Sequence, residues 1–130
     1  MSSVSWPDGS LHERSVSNRM SSPTSRTLAE LRRNGYTAAV VERWNPWAKI
    51  RQDLYGFIDV LAIKANEKGV LAIQTTTTAN ASSRMKKSKE SPNLRIWLDS
   101  GNRFEVWGWG KRGTRGNRKT WCLGRHLPNE

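Results

Sequence analysis

Two runs dominate the hydrophobic pattern of the chain. Residues 57–63 (FIDVLAI) are apolar at nearly every position, which suits an internal strand covered on both faces. Residues 69–77 (GVLAIQTTT) begin apolar and turn polar at Gln74. The polar KANEK between them, closed by Gly69, predicts a hairpin. Upstream, Leu28 and Leu31 share one side of a helix expected over 27–34, with Thr24 or Ser25 as its cap and Gly35 as its stop. Residues 37–44 (TAAVVERW) read as a strand that Asn45-Pro46 breaks. Downstream, residues 79–90 lack strand character and predict a basic helix capped by Asn80 or Ser82 and stopped by Pro92. Strands are expected over 94–98 (LRIWL), 104–109 (FEVWGW) and 120–127, with a Gly- and Arg-rich loop over 111–119. Residues 1–25 are Ser-rich and aperiodic, the pattern of a flexible tail. That leaves one domain over 26–127, of class α/β, with a mixed central sheet.

Within this pattern Asp59 is out of place. Side chains alternate along a strand, so Phe57, Asp59, Leu61 and Ile63 fall on one face. A carboxylate there is costly unless it is paired, binds a metal, or sits at a strand end near solvent. If the hairpin closes with Ile63 opposite Val70, antiparallel register sets Asp59 opposite Gln74, with Cβ atoms about 4.5–5.5 Å apart. Asp59, Gln74 and Thr76 then form a polar cluster on an apolar sheet. A slip of one residue destroys it. Such oxygen donors suit a hard cation, Mg²⁺ or Mn²⁺, which takes few protein ligands and keeps its waters.

Charge points to the partner. The 130 residues carry 22 Lys and Arg against 11 Asp and Glu, a formal net charge of +11, which favours a polyanion. Much of the excess falls in two blocks: Arg84, Lys86, Lys87 and Lys89, and then Lys111, Arg112, Arg115, Arg118 and Lys119. Arg51 is a further candidate phosphate contact, or the partner of a local acid. Of seven Trp residues, Trp97 is expected in the core. Trp107, Trp109 and Trp121 are candidates either for core or for stacking on bases. Trp44 and Trp47 are expected to pack on the sheet as a loop. One cysteine, Cys122, excludes a disulfide scaffold and a multi-Cys zinc module. No apolar run resembles a secretory leader or a membrane span, so a cytoplasmic protein without a membrane partner is expected.

Asp59 in a strand, a polar loop, and a second strand ending in Gln74-Thr75-Thr76 resemble the core of the PD-(D/E)XK nuclease superfamily. The stretch RQDLYGFID (residues 51–59) is similar to its small resolvase-like and phage members. The resemblance spans residues 27–109 and implies an αβββαβ restriction-endonuclease-like core. It also implies phosphodiester hydrolysis by metal-activated water, with DNA ahead of RNA as substrate and a homodimer as a plausible form. In such proteins an Asp on one strand and a Glu-x-Lys on the next hold the metal and the attacking water. Carried onto this chain, Asp59 and Gln74 are the expected metal ligands, with the Thr75 carbonyl as a third. Glu30 stands where resolvase-like members carry an extra acid, and Thr76 stands in the Lys position. Gln74 lacks the charge of Glu, and Thr76 cannot supply an ammonium. Lys86, Lys87 and Lys89 are therefore candidates to replace the missing Lys. The alternative is a protein of the same fold that binds nucleic acid without cutting it.

Overall fold

Ser22 caps the first described helix. The computed structural model describes residues 22–129; the tail expected over 1–25 lies largely outside them, and its last residues belong instead to the first helix. In α1 (Pro23–Arg33) the Ser22 hydroxyl accepts from the Ser25 N–H and Pro23 occupies the first turn, where no N–H is needed. Arg32 and Arg33 sit in the last turn, favourably placed on the helix dipole. Gly35, at φ +90°, turns the chain into β1 (Thr37–Val40).

A small hairpin, β2 (Arg43–Asn45) and β3 (Ile50–Gln52), forms a sheet of its own. The chain then enters β4 (Val60–Ile63) and β5 (Leu71–Thr77), crosses over through α2 (Thr78–Lys89) and α3 (Pro92–Asp99), and returns as β6 (Arg103–Arg112) and β7 (Thr120–His126). The main sheet has the order β1-β4-β5-β6-β7. Only β5 and β6 are parallel. The protein is thus mixed α/β, a five-stranded mixed sheet with three helices among the described residues. Because β1 and β5 both run opposite to β4, and β6 runs with β5, the C-terminal ends of β1, β5 and β6 lie at one end of the sheet.

Each face of the sheet buries its own apolar layer. Leu31 of α1 packs with Ala38, Val60, Leu71, Ile73, Trp107 and Trp109. Ala81 and Met85 of α2 and Leu94 of α3 pack on the other face with Phe57, Ala72, Phe104 and Val106. Alternation along β6 puts Phe104 and Val106 on one side and Trp107 and Trp109 on the other, as the sequence predicts. Trp107 and Trp109 are therefore core residues, with their indole N–H groups bonded to Glu105 and Thr27. Trp97 is half-buried and donates to the Arg103 carbonyl.

Three strand expectations fail for identifiable reasons, and the helix caps are Ser22 and Thr77 rather than the residues expected. The strand expected over 37–44 divides, because its partner β4 reaches back only to Val60 and the last bond between them is Val41 N–H to Asp59 C=O. The strand expected over 57–63 keeps only its second half, because Tyr55 and Gly56, both at positive φ, form a tight turn that bonds Phe57 N–H back to Leu54 C=O. Residues 94–98 are helical rather than extended. Ser91 caps and Pro92 starts that helix, and Leu94, Trp97 and Leu98 pack at helical spacing. A parallel β5–β6 pair also requires a long crossover, which α2 and α3 supply.

Candidate functional site

The β4–β5 ladder pairs Val60 with Ile73, Leu61 with Ala72 and Ala62 with Leu71. This is the register that the apolar pattern requires, but it ends there: the next bond runs from Asp59 N–H to Ile73 C=O, already opposite Val60, so the expected Asp59–Gln74 pair is not part of the ladder. Asp59 is held on both sides: its N–H donates to Ile73 C=O at 3.0 Å, and its C=O accepts from Val41 N–H at 2.8 Å. Its carboxylate accepts from Thr75 N–H at 2.9 Å, so the side chain closes the ladder where the main chain turns away.

A second acid joins it. Leu54 and Ile58 form an isolated antiparallel bridge around the Tyr55-Gly56 turn. One step outward from that bridge, Asp53 stands opposite Asp59, and the two carboxyls are in hydrogen-bond contact. Burial, then the bond and the charge of Asp53, push Asp59 up to about 8, against the pull of Thr75 N–H; the Glu42 charge adds to the rise. No Lys or Arg among the described residues forms a salt bridge with Asp53 or Asp59, whereas Glu42 has Arg51 at 3.6 Å. Asp53 was outside the expected site, although D-L-Y-G-F-I-D carries the signal: a Tyr-Gly turn between two apolar residues pairs the flanking acids.

Gln74 is buried between the acid pair and α2. Its amide nitrogen lies 3.4 Å from an Asp53 oxygen, and its amide oxygen accepts from Ser88 at 3.1 Å. Thr76 is buried on the same side of β5, two residues on. Thr75 points the other way, its hydroxyl 2.9 Å from that of Thr24 on α1.

Other expected residues fall elsewhere. Glu30 bonds Arg33 and Asn34 and lines a cleft with Tyr36, Lys64, Leu71 and Arg125. That cleft lies against the start of β5 on the α1 side, so Glu30 does not join Asp59. Lys86 and Lys89 line a different cleft with His126 and Leu127, on the β7 side of α2. Helical spacing puts Arg84 and Lys87 on the other side of α2 from that cleft, and both are exposed. Lys111, Arg112, Arg115, Arg118 and Lys119 are all exposed, on the tip of the β6–β7 ribbon and the loop that joins it. This tip leaves the same end of the sheet as the C-terminus of β5. Trp121 is partly exposed under the Arg26 guanidinium, 3.8 Å from the ring centre. Trp44 and Trp47 do not pack on the sheet: they are 54% and 92% exposed.

Among the described residues, no three His, Cys, Asp or Glu side chains gather as a metal-holding group. No helix among them is long and apolar enough to cross a membrane. Compared with known protein families, curated proteins and solved structures, the chain matches none.

Proposed function

We propose that this chain hydrolyses phosphodiester bonds in nucleic acid, with DNA ahead of RNA, on a restriction-endonuclease-like αβββαβ core that binds Mg²⁺ or Mn²⁺. One observation carries the reading: the buried Asp59 carboxyl with the half-buried Asp53 against it, and no salt bridge from Lys or Arg to either among the described residues, in a chain of net charge +11. Two acids forced together call for a cation, and the donor set fits a hard one. Mg²⁺ is commonly held by one or two carboxylates while it keeps several waters. The order of elements supports the same reading: α1, the antiparallel β1, β4 and β5, then α2 and the parallel β6.

Asp59 and Asp53 would hold the cation. Thr75 N–H orients the Asp59 carboxylate, and its C=O, leaving the same edge of the strand, is a further oxygen donor. Gln74 fixes Asp53 through its amide nitrogen, and Ser88 fixes Gln74. A cation held there would supply a water of lowered pKa and offset charge on a phosphoryl oxygen. Arg84 and Lys87 on α2, Arg51 at the β3 end, and the exposed cations of the β6–β7 tip would hold the phosphate backbone. No ammonium occupies the Thr76 position; Lys87 on α2 is the candidate to supply one.

A cleavage assay on duplex, single-stranded and branched DNA with Mg²⁺ or Mn²⁺ tests this. The wild type is expected to cut at least one substrate, and Asp59→Ala to cut none. Cutting by Asp59→Ala as fast as the wild type would sink the reading. The second reading, a module that binds without cutting, is favoured by the Gln74 amide, whose nitrogen rather than oxygen faces Asp53. Tight, salt-dependent binding with no cleavage of any substrate would establish it.

A further inference from the structure

The β2–β3 hairpin stands apart from the main sheet, and its apolar side chains are not used for packing. Trp47 is 92% exposed; Trp44 and Ile50 are half-exposed or more, and so is Tyr55 in the turn that follows. An exposed indole on a loose loop means little, but this turn is built. The Asn45 side chain accepts from the N–H groups of Trp47 and Ala48 at 2.9 and 3.1 Å. Lys49 N–H returns to Asn45 C=O at 2.7 Å, with Lys49 itself in the left-handed region at φ 57°. Pro46 removes one more backbone freedom. The turn is pre-organised to hold Trp47 outward, so ordering it on a ligand costs little.

The surroundings identify that ligand. Residues 43–52 carry Arg43, Lys49 and Arg51 and no acid. The base of the hairpin is the functional site itself: Glu42 and Arg51 form an ion pair across it, and Asp53 follows β3 directly. The hairpin leaves the C-terminal end of β1, at the end of the sheet where β5 and the basic β6–β7 ribbon also emerge. A flat, rigid aromatic among cations, beside a phosphate-handling site, suits a nucleobase that is free to stack, because every base has a π-face.

We propose that the β2–β3 hairpin is a base-stacking arm, in which Trp47 stacks on an unpaired base of a nucleic-acid strand bound at the Asp53–Asp59 site. The proposal rests on the nucleic-acid reading above and adds its specificity: strands with an exposed base, such as forks, gaps or single strands, are preferred over continuous duplex. Arg43, Lys49 and Arg51 hold the phosphates that flank the stacked base.

The test is binding rather than cutting, in EDTA, so that it does not depend on catalysis. A forked DNA with 2-aminopurine at the junction and the same sequence fully paired are titrated with wild type, Trp47→Ala and Trp47→Phe. Wild type is expected to prefer the fork and to quench the 2-aminopurine. Trp47→Ala is expected to lose about tenfold in affinity for the fork while paired DNA is unaffected, and Trp47→Phe to recover most of the loss. Unimpaired fork binding by Trp47→Ala overturns the arm while nucleic-acid binding stands. A wild type that binds neither DNA overturns both readings. Light scattering on the same proteins closes the remaining route: if Trp47→Ala changes the oligomeric state with no selective loss of fork affinity, the surface is a contact between copies and the proposal fails.

Discussion

Replacing Asp53 by Asn removes one charge from the Asp53–Asp59 pair and keeps an oxygen that accepts from Gln74. Raising Asp59 from 3.8 to about 8 corresponds, at about 1.4 kcal/mol per pH unit, to a ceiling of about 6 kcal/mol. Burial is the largest cause and would persist in the variant, so the share owed to Asp53 is roughly 1–2 kcal/mol. The sign follows from proton counting. Below about pH 4 Asp59 is protonated in both folded and unfolded chains; between about 4 and 8 only the folded chain keeps the proton. This contribution to stability is therefore full at low pH, falls across that window, and is lost above about pH 8. Asp53→Asn lowers the folded pKa and makes the loss smaller.

Above about pH 8, without divalent cations, the variant should be more stable than wild type by roughly 1–2 kcal/mol, several degrees in Tm. Near pH 4 the two should agree. Urea unfolding in EDTA across this range, followed by the fluorescence of buried Trp107 and Trp109, measures the difference directly. Mg²⁺ should reverse the order above pH 8, because the cation stabilises the wild-type pair and finds only one carboxylate in the variant. An Asp53→Asn chain that is less stable than wild type at high pH in EDTA, or a difference that does not change with pH, would refute the argument that the two acids repel.

Two further outcomes follow from the structure. Cleavage should fall roughly tenfold or more on Lys87→Ala and Arg84→Ala and stay near the wild-type rate on Lys86→Ala and Lys89→Ala, since the last two line the His126–Leu127 cleft instead; single-turnover rates decide it. Gly69→Ala should cost about 3 kcal/mol or more by denaturant unfolding, because an added Cβ would lie 2.1 Å from the Gly101 carbonyl oxygen at a φ of +75°.

The β4–β5 register was legible in the chain because a strand has a period of two. The apolar runs 57–63 and 69–77 have one register that buries both; it holds from Ala62 to Val60 and stops short of Asp59, whose carboxyl meets Asp53 while the Gln74 amide does the same. The basic helix after β5 was legible for a similar reason: a polar run with no β-branched alternation, ended by Pro92, has few other forms. Residues 94–98 were not, because four apolar and aromatic residues around one Arg fit either period; the Ser91-Pro92 start and the crossover demanded by a parallel β5–β6 pair decided for helix.

What lies between local pattern and tertiary structure is clearest at the acids. Sequence alone determined a mixed α/β chain with a strongly basic balance and one carboxylate where an apolar side chain belongs. Only the tertiary structure decided its companions. The Tyr55-Gly56 turn brings Asp53 onto Asp59, while α1 carries Glu30 to the far end of the sheet, on its other face. The Trp residues divide in the same way. Composition counts them alike, yet two are consumed by the layer against α1 and one is held into solvent by the Asn45 turn. Burial is a property of the assembled layers rather than of the residue type, so packing alone could separate the core indoles from those left exposed.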